Sequence, residues 1–254
     1  MSTFDKSEYV HGVFSAIAPS YDLMNDLESL GLHRLWKARL VSELSSNSPT
    51  RILDIACGTG DIAIALAKAN PQAKVIGLDF NEAMLEVAKT RAAEELPLSF
   101  YIEMDGSSHS GTARSTNNLS LTSGNAMELS YPDESFDAVS ISFGLRNMPD
   151  YGVVLGEIFR VLRPGGCFYC LEASYPTNKL VKPPFKLYFK HWLPVLGKFV
   201  VDSPDEYSWL NTSTEAFLTK DELALLMWNT GFSDVCYTSF LLGAAALHRG
   251  TKEL

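Results

Sequence analysis

The sequence predicts an α/β protein, a largely parallel sheet with helices on both faces. Three observations point there. Apolar runs of strand length alternate with segments of helical composition along most of the chain, the order that produces a parallel sheet covered on both sides. The first such run, "RILDIA" (51–56), ends in a glycine-rich turn that opens a helical segment. The last two runs, "DVCYTSFLL" and "GAAALHRG", follow one another without a helix between them and read as a closing hairpin.

The elements follow in order. The stretch up to about residue 45 carries apolar residues at helical spacing, interrupted by Pro19, and "SSNSPT" (45–50) is a polar joint behind it. After the first strand, "DIAIALAKAN" has helix-forming composition with Asp61 in its first turn. "KVIGLDF" (74–80) is the second strand, and "NEAMLEVAKTRAAEEL" (81–96) a helix with Asn81 as its N-cap. Residues 106–118, "GSSHSGTARSTNN", are poor in apolar groups and read as a mobile surface loop. "SLTSGNA" is a strand and its edge, and "FDAVSISF" (136–143) is another strand. "YGVVLGEIFRVL" (151–162) is a helix stopped by "RPGG", with "CFYCLEA" (167–173) the strand after it. A Pro- and aromatic-rich insert begins past residue 174. The helix "TKDELALLMWNTGF" follows, with Thr219 and Glu222 spaced as a capping box.

Composition narrows the function. With 254 residues the chain can bury one large core or two small ones. Its net charge of −9 makes it a poor general binder of nucleic acid, which needs a basic surface. The N-terminus "MSTFDKSEYV" is polar and lacks a secretory apolar core, so a reducing cytoplasm with free thiols is expected for Cys57, Cys167, Cys170 and Cys236. Cys167 and Cys170 form a C-x-x-C, but on a strand these positions point to opposite faces. No second Cys/His pair stands at ligand spacing, so no metal site is expected. No apolar run reaches the ~18 residues of a membrane span.

"LDIACGTGD" (53–61) carries the strongest local signal. Gly58 and Gly60 let a ligand approach the backbone between strand and helix. Asp79 ends the next strand, 21 residues after Gly58, where a carboxylate can accept from a ribose diol. Gly58-Thr59-Gly60-x-x-Ala63 also satisfies a dinucleotide pattern, in which a pyrophosphate would rest on the helix N-terminus. Asp61 occupies that turn and Asp54 lies in the strand entering it. Two carboxylates repel phosphate and suit a phosphate-free cofactor carrying an ammonium and a sulfonium, which describes S-adenosylmethionine. The bland alternative is a structural turn with no ligand.

The blocks "YDLMNDLESLGLHRLWK" (21–37), "LDIACGTGD", "SGNAMELSYPDESFDAVSISFGLRN" (123–147), "RVLRPGG" (160–166) and "AALHRG" (245–250) resemble, in order, the signatures of the UbiE/COQ5 quinone-ring C-methyltransferases. These are class I S-adenosylmethionine-dependent enzymes, and the likeness covers nearly the whole chain. It implies a Rossmann-like, doubly wound, mostly parallel seven-stranded sheet in a single domain 1–254, with an N-terminal helical segment (1–46) and a lid-like helical insert (174–218). It also implies that Thr59 and the backbone of Gly58 and Gly60, beside Asp54, hold the methionine part. Asp79 then takes the ribose, Asn125 and Ala126 flank the adenine, and Ser142 faces the cofactor. The 106–118 loop is longer than the family's pattern.

Arg146, in "ISFGLRNMPD", follows a strand end on the rim where open α/β sheets bind ligands. Alone it reads as a surface salt-bridge arginine; with "GLRN" intact, the resemblance implies that it points at the transferable methyl. The implied reaction is methyl transfer to a ring carbon of a hydroquinone. Arginine is too basic to take the proton itself, so it would act as a cation that lowers the hydroxyl's pKa or activates a water. Asn147 and Tyr21 would orient it by hydrogen bonding. His33, titrating near neutrality, is the alternative proton acceptor. The expected substrate is a prenylated quinol, first demethylmenaquinol. A ubiquinone-pathway benzoquinol or another small phenol is the alternative, and beyond those a non-catalytic scaffold or an oxidoreductase. Residues 179–198 hold five lysines, no acid and four large aromatics. That suits either a membrane surface at the inner face of the bilayer or an ordinary helix with its aromatics inward. Homodimers are common among such enzymes.

Overall fold

A computed structural model of the chain describes residues 29–96, 118–174 and 213–254, with positions 12, 15, 25, 26, 176, 183 and 187 and the backbone of 99–103 and 112–116. Nine strands are described: β1 (Arg51–Ile55), β2 (Lys74–Asp79), β3 (Ser99–Glu103), β4 (Thr112–Thr116), β5 (Leu119–Ser123), β6 (Phe136–Ser142), β7 (Leu162–Ala173), β8 (Ser233–Phe240) and β9 (Ala245–Thr251). The helices are α1 (His33–Ser45), α2 (Asp61–Ala69), α3 (Glu82–Glu95), α4 (Tyr151–Val161) and α5 (Lys220–Thr230). Seven strands form one sheet in the order β5-β2-β1-β6-β7-β9-β8. Its β5, β2, β1, β6 and β7 are parallel, and β9 and β8 close it antiparallel. This is the doubly wound, mostly parallel sheet that the alternating pattern predicts.

The central strands are buried along nearly their whole length, which is why β1, β2 and β6 are largely apolar instead of alternating; among their buried polar exceptions, Asp54 and Ser140 pair with one another. One face packs Trp36, Leu40 and Leu44 of α1 with Ile62, Leu66 and Leu85. The other packs Leu155 and Ile158 of α4 with Leu223 and Met227 of α5. Cys167 joins the first cluster and Cys170 the second, so the two thiols face opposite sides of β7. Among the described residues no group of acids, histidines and cysteines could hold a metal ion. Nor is any described helix long and apolar enough to cross a membrane.

The caps match the chain's local chemistry. Asn81 accepts from Met84 N at the start of α3, Asp150 from Val153 N at the start of α4, and Thr219 and Glu222 close a capping box on α5. Two readings are corrected. Residues 112–116 of the expected surface loop form β4, paired antiparallel with β3 in a separate two-stranded sheet. That ribbon stands outside the main sheet, so it lacks the apolar periodicity by which buried strands are recognised. The helix over 151–162 ends at Val161, and β7 already begins at Leu162. "RPGG" is carried as an irregularity opposite Phe136–Ala138, with Gly165 at φ 79°. Tyr21, most of 1–28 and most of the 174–218 insert lie outside the described residues.

Candidate active site

The loops that follow β1, β2, β5 and β6 meet at the carboxyl rim of the sheet. β1 runs through Ala56 (φ 53°) and Gly58 (φ 54°) into Gly60 (φ 86°), which caps α2. A Cβ on Gly60 would stand 3.0 Å from Ala88 Cβ of α3, so the turn needs glycine for both its conformation and its close packing. Gly58 N donates to Asp79 Oδ2 and Asn81 N to Asp79 Oδ1, each at 2.8 Å. The strand-end carboxylate is thus fixed against the glycine turn, at the place expected of a ribose acceptor. Phe80, 46% exposed, follows it. Sequence reading missed this ring, although a phenylalanine directly behind a strand-end acid was a usable signal. Gly124 N donates to the Asp79 carbonyl at 3.0 Å, which brings the next turn alongside. There Asn125 Oδ1 accepts from Met127 N and Ala126 is buried beneath it.

Asp54 is 1% exposed. Ser140 Oγ donates to its Oδ1 at 2.7 Å, while Oδ2 has no hydrogen-bond partner among the described residues. Burial pushes its carboxyl up to about 7, against the Ser140 bond and Lys37, with Asp79 adding to the rise. Ser142 Oγ, at the end of β6, is likewise buried without a partner among the described residues. An orphaned buried carboxylate oxygen fits an ammonium or sulfonium and would repel phosphate. The glycine turn, Asp79 and these two oxygens therefore fit S-adenosylmethionine.

Asp61 does not play the part assigned to it from sequence. Lys37 Nζ from α1 lies 2.8 Å from its Oδ2, and Arg91 Nη2 from α3 lies 2.6 Å from its Oδ1. Burial raises its carboxyl, but the two cations outweigh that and hold it at about 2. Its charge is matched by both neighbours, so the negative potential of the turn belongs to Asp54 and Asp79. Arg91 Nη1 also reaches the Thr59 carbonyl at 3.3 Å and hydroxyl at 3.2 Å. The Thr59 side chain therefore turns into the fold.

At the end of β6, Phe143 takes φ 57°, and a Cβ on Gly144 would fall 2.6 Å from Ala56 Cβ. This close crossing throws residues 145–147 into a 3₁₀ turn. Arg146 is 4% exposed and is no surface arginine. Its Nη1 is ion-paired with Glu172 Oε1 and donates to the Phe143 carbonyl at 2.8 Å, while its backbone N donates to Glu172 Oε2 at 3.2 Å. Glu172, 1% exposed, also accepts from Ala173 N. Asn147 Nδ2 meets Arg146 at the same Phe143 carbonyl, at 3.5 Å. Glu172 is the orienting residue that sequence reading missed; a lone acid inside the apolar "CFYCLEA" was the available signal.

His33 opens α1, 3% exposed, with Nδ1 2.8 Å from Ser29 Oγ and 3.7 Å from Asp26 Oδ1. Burial, then Lys37, pull its imidazole below the usual value, which keeps it neutral at neutral pH. One helical turn on, Lys37 Nζ lies 6.0 Å from the Phe143 ring centroid, and Arg146 Cζ lies 5.9 Å from the same centroid. α1 is thereby tied to the rim that carries Arg146.

The fold agrees with what the chain is similar to. The model of the ubiE/COQ5 methyltransferase family matches residues 2–252. A demethylmenaquinone methyltransferase of Staphylococcus aureus (strain JH9) is 43% identical over 247 residues, 97% of this chain and 94% of that one. Among solved structures, a SAM-dependent methyltransferase from Thermotoga maritima, described as a possible histamine N-methyltransferase, superposes with a TM-score of 0.58 at 19% identity, covering 95% of this chain and 99% of that one. A Haemonchus contortus phosphoethanolamine N-methyltransferase in complex with S-adenosylhomocysteine has a TM-score of 0.58 at 16% identity, over 85% of this chain and 53% of that one. The chain belongs to the ubiE/COQ5 methyltransferase family and is an S-adenosylmethionine-dependent methyltransferase.

Proposed function

We propose that this enzyme methylates a ring carbon of a prenylated quinol, and that the quinol is demethylmenaquinol. The substrate follows the Staphylococcus aureus relative. The observation that carries the chemistry is a buried guanidinium, Arg146, locked by Glu172 on the rim that also holds the glycine turn and Asp79.

In this reading Asp79 takes the ribose hydroxyls, Asn125 and Ala126 flank the adenine with Phe80, and the backbone of Gly58, Thr59 and Gly60 follows the methionine part. Asp54 faces the donor's cationic end, and Ser142 lines the wall. The donor supplies an electrophilic methyl on a sulfonium. Arg146, permanently charged and fixed in position, stabilises the phenolate that forms when the quinol hydroxyl loses its proton. With the donor bound, the electron-rich ring carbon would take its methyl group, the C–C bond forming as the S–C bond breaks, and the ring proton would then pass to water, restoring aromaticity. The acceptor of the hydroxyl proton is water held by Arg146 or the neutral His33. Asn147 and Tyr21 complete the orientation of the guanidinium. Much of the remaining rate comes from alignment of carbon and methyl in a closed site.

The 179–198 segment, outside the described residues except Pro183 and Leu187, covers the isoprenoid tail in this reading and meets the membrane with its lysines. Incubation with methyl-labelled donor and either demethylmenaquinol or a benzoquinol precursor, followed by identification of the product, tests the proposal. Labelled menaquinol is expected; label in the benzoquinol alone, or in neither, overturns it.

A further inference from the structure

β1 and β6 are neighbours in the sheet, but the strands that follow them lie on opposite sides, β2 beyond β1 and β7 beyond β6. In an open α/β sheet a crevice for ligands opens at such a switch point. The ladder between β1 and β6 ends at Ile55 and Ile141. Past it, each chain is held on its outer side. Cys57 N donates to the Leu78 carbonyl at 3.1 Å and Gly58 N to Asp79, which anchors the glycine turn on β2. Phe143 N donates to the Leu171 carbonyl at 2.8 Å and Arg146 N to Glu172, which anchors the Arg146 turn on β7.

On the inner side the two turns touch. With a Cβ on Gly144 falling 2.6 Å from Ala56 Cβ, position 144 has no room for a side chain while Ala56 keeps its methyl. Gly144 has an ordinary φ of −108°, so it is space and not backbone that requires glycine there. Backbone preference points the other way. Ala56 takes φ 53°, left-handed backbone in which glycine would be free of strain. The chain carries a strained alanine against an unstrained glycine, and the methyl fills the gap between the strand ends. Strain of this kind persists where the surrounding structure fixes it, and it clusters at functional sites.

We propose that Ala56 and Gly144 are a positioning pair for methyl transfer, a role that rests on the donor and quinol readings above. Their contact sets the separation between the glycine turn, which holds the donor, and Arg146, which faces the quinol oxygen, so that methyl and ring carbon meet in line. Both residues act through the turns they begin. A close-packed interior transmits such a contact with little give. A misplacement of about 1 Å between reacting partners can cost about 100-fold in rate.

The test compares Gly144→Ala, Ala56→Gly and the double variant that exchanges the two residues, each in the full chain. Turnover at saturating donor and quinol, the donor dissociation constant by calorimetry, and Tm are measured for each. Gly144→Ala drives the turns apart, and its turnover is expected to fall at least about ten-fold. Its donor constant should change less than about three-fold, because each turn keeps its outer anchor. Ala56→Gly relieves the strain but leaves the contact slack, so turnover should fall at least about three-fold with Tm close to that of the parent. In the exchanged variant the new Cβ next meets Ile141 Cγ2 at 3.4 Å, an ordinary contact, and the gap is filled from the other side. Its turnover should stand at least about five-fold above that of Gly144→Ala. A purely structural contact would lower Tm and turnover together and leave Ala56→Gly at the parental rate. Parental turnover in either single variant, an exchanged variant as slow as Gly144→Ala, or a donor constant rising in step with the loss of turnover would overturn the proposal. Should Gly144→Ala fail to fold, Ala56→Gly decides alone. Turnover is read on whichever quinol the parent enzyme methylates, so label in a benzoquinol would change the substrate reading and leave this test intact.

Discussion

In the proposed mechanism the pair Arg146–Glu172 couples stability to catalysis at the level of single side chains. Both are almost fully buried, so removing one partner leaves the other's charge uncompensated, at a cost of about 3–5 kcal/mol. Loss of activity in Arg146→Ala alone would therefore be ambiguous. Replacing the pair by neutral groups of similar size, Arg146→Met with Glu172→Gln, removes both charges and keeps an amide oxygen for the backbone N–H groups of Arg146 and Ala173 that Glu172 accepts from, so no buried charge is left unpaired. The expected outcome is that Arg146→Ala lowers Tm and turnover together, whereas the double variant regains most of the Tm, still binds the donor, and stays at least about 100-fold slower. Equilibrium unfolding and donor calorimetry beside the rate assay make the separation. A double variant with near-normal turnover would remove the guanidinium from the mechanism.

The glycine turn is the element on which the proposed site hangs, and two helices hold it. Gly60 abuts Ala88 of α3, Arg91 of α3 grips Thr59 and Asp61, and Lys37 of α1 reaches the same aspartate. Gly60→Ala would place a Cβ at φ 86° against Ala88, with a cost of roughly 1–3 kcal/mol and a displaced turn. Arg91→Met leaves the turn's sequence intact but releases its outer side. The expected result is a donor dissociation constant raised roughly ten-fold, on the order of one lost charge-assisted contact, with turnover at saturating donor nearly kept. A variant that bound the donor normally would show that α3 does not position the turn. These contacts also mark what the sequence could disclose. The glycine turn and Asp79 stand out in the sequence because each sits in a local strand-end pattern, whereas Arg146 taken alone reads as a surface arginine and only the "GLRN" resemblance points it inward. The partners of Asp61 stand 24 and 30 residues from it, and Glu172 stands 26 from Arg146. No periodicity encodes such pairings; they appear once the sheet brings the strand ends together. The β3–β4 ribbon was missed for the opposite reason, since nothing obliges a strand outside the main sheet to alternate.

For the molecule as a whole, the two aspartates of the turn have opposite pH signatures. Asp61 is held at about 2, below its ordinary 3.8, so its contribution is present above about pH 4 and is lost as pH falls toward 2. Asp54 is raised to about 7, so the folded chain favours its protonated form. Its contribution is full below about pH 4 and is lost as pH rises through 7, where ionisation in a buried site begins to weigh against folding. In the proposed site a cationic donor faces Asp54 and favours the ionised form. Donor binding should then strengthen as pH rises through 7, by up to about ten-fold per unit while Asp54 titrates, with proton release on binding below that pH. Measured as the rise in Tm on saturation with donor, the effect is expected to be larger at pH 8 than at pH 6. Taking the difference with and without donor at each pH cancels other groups whose ionisation the donor leaves unchanged. Asp54→Asn should bind more weakly at pH 8 and lose the pH dependence. An equal rise at both pH values in the parent enzyme would remove Asp54 from the donor's cationic end and shift the discrimination against phosphate to Asp79 alone.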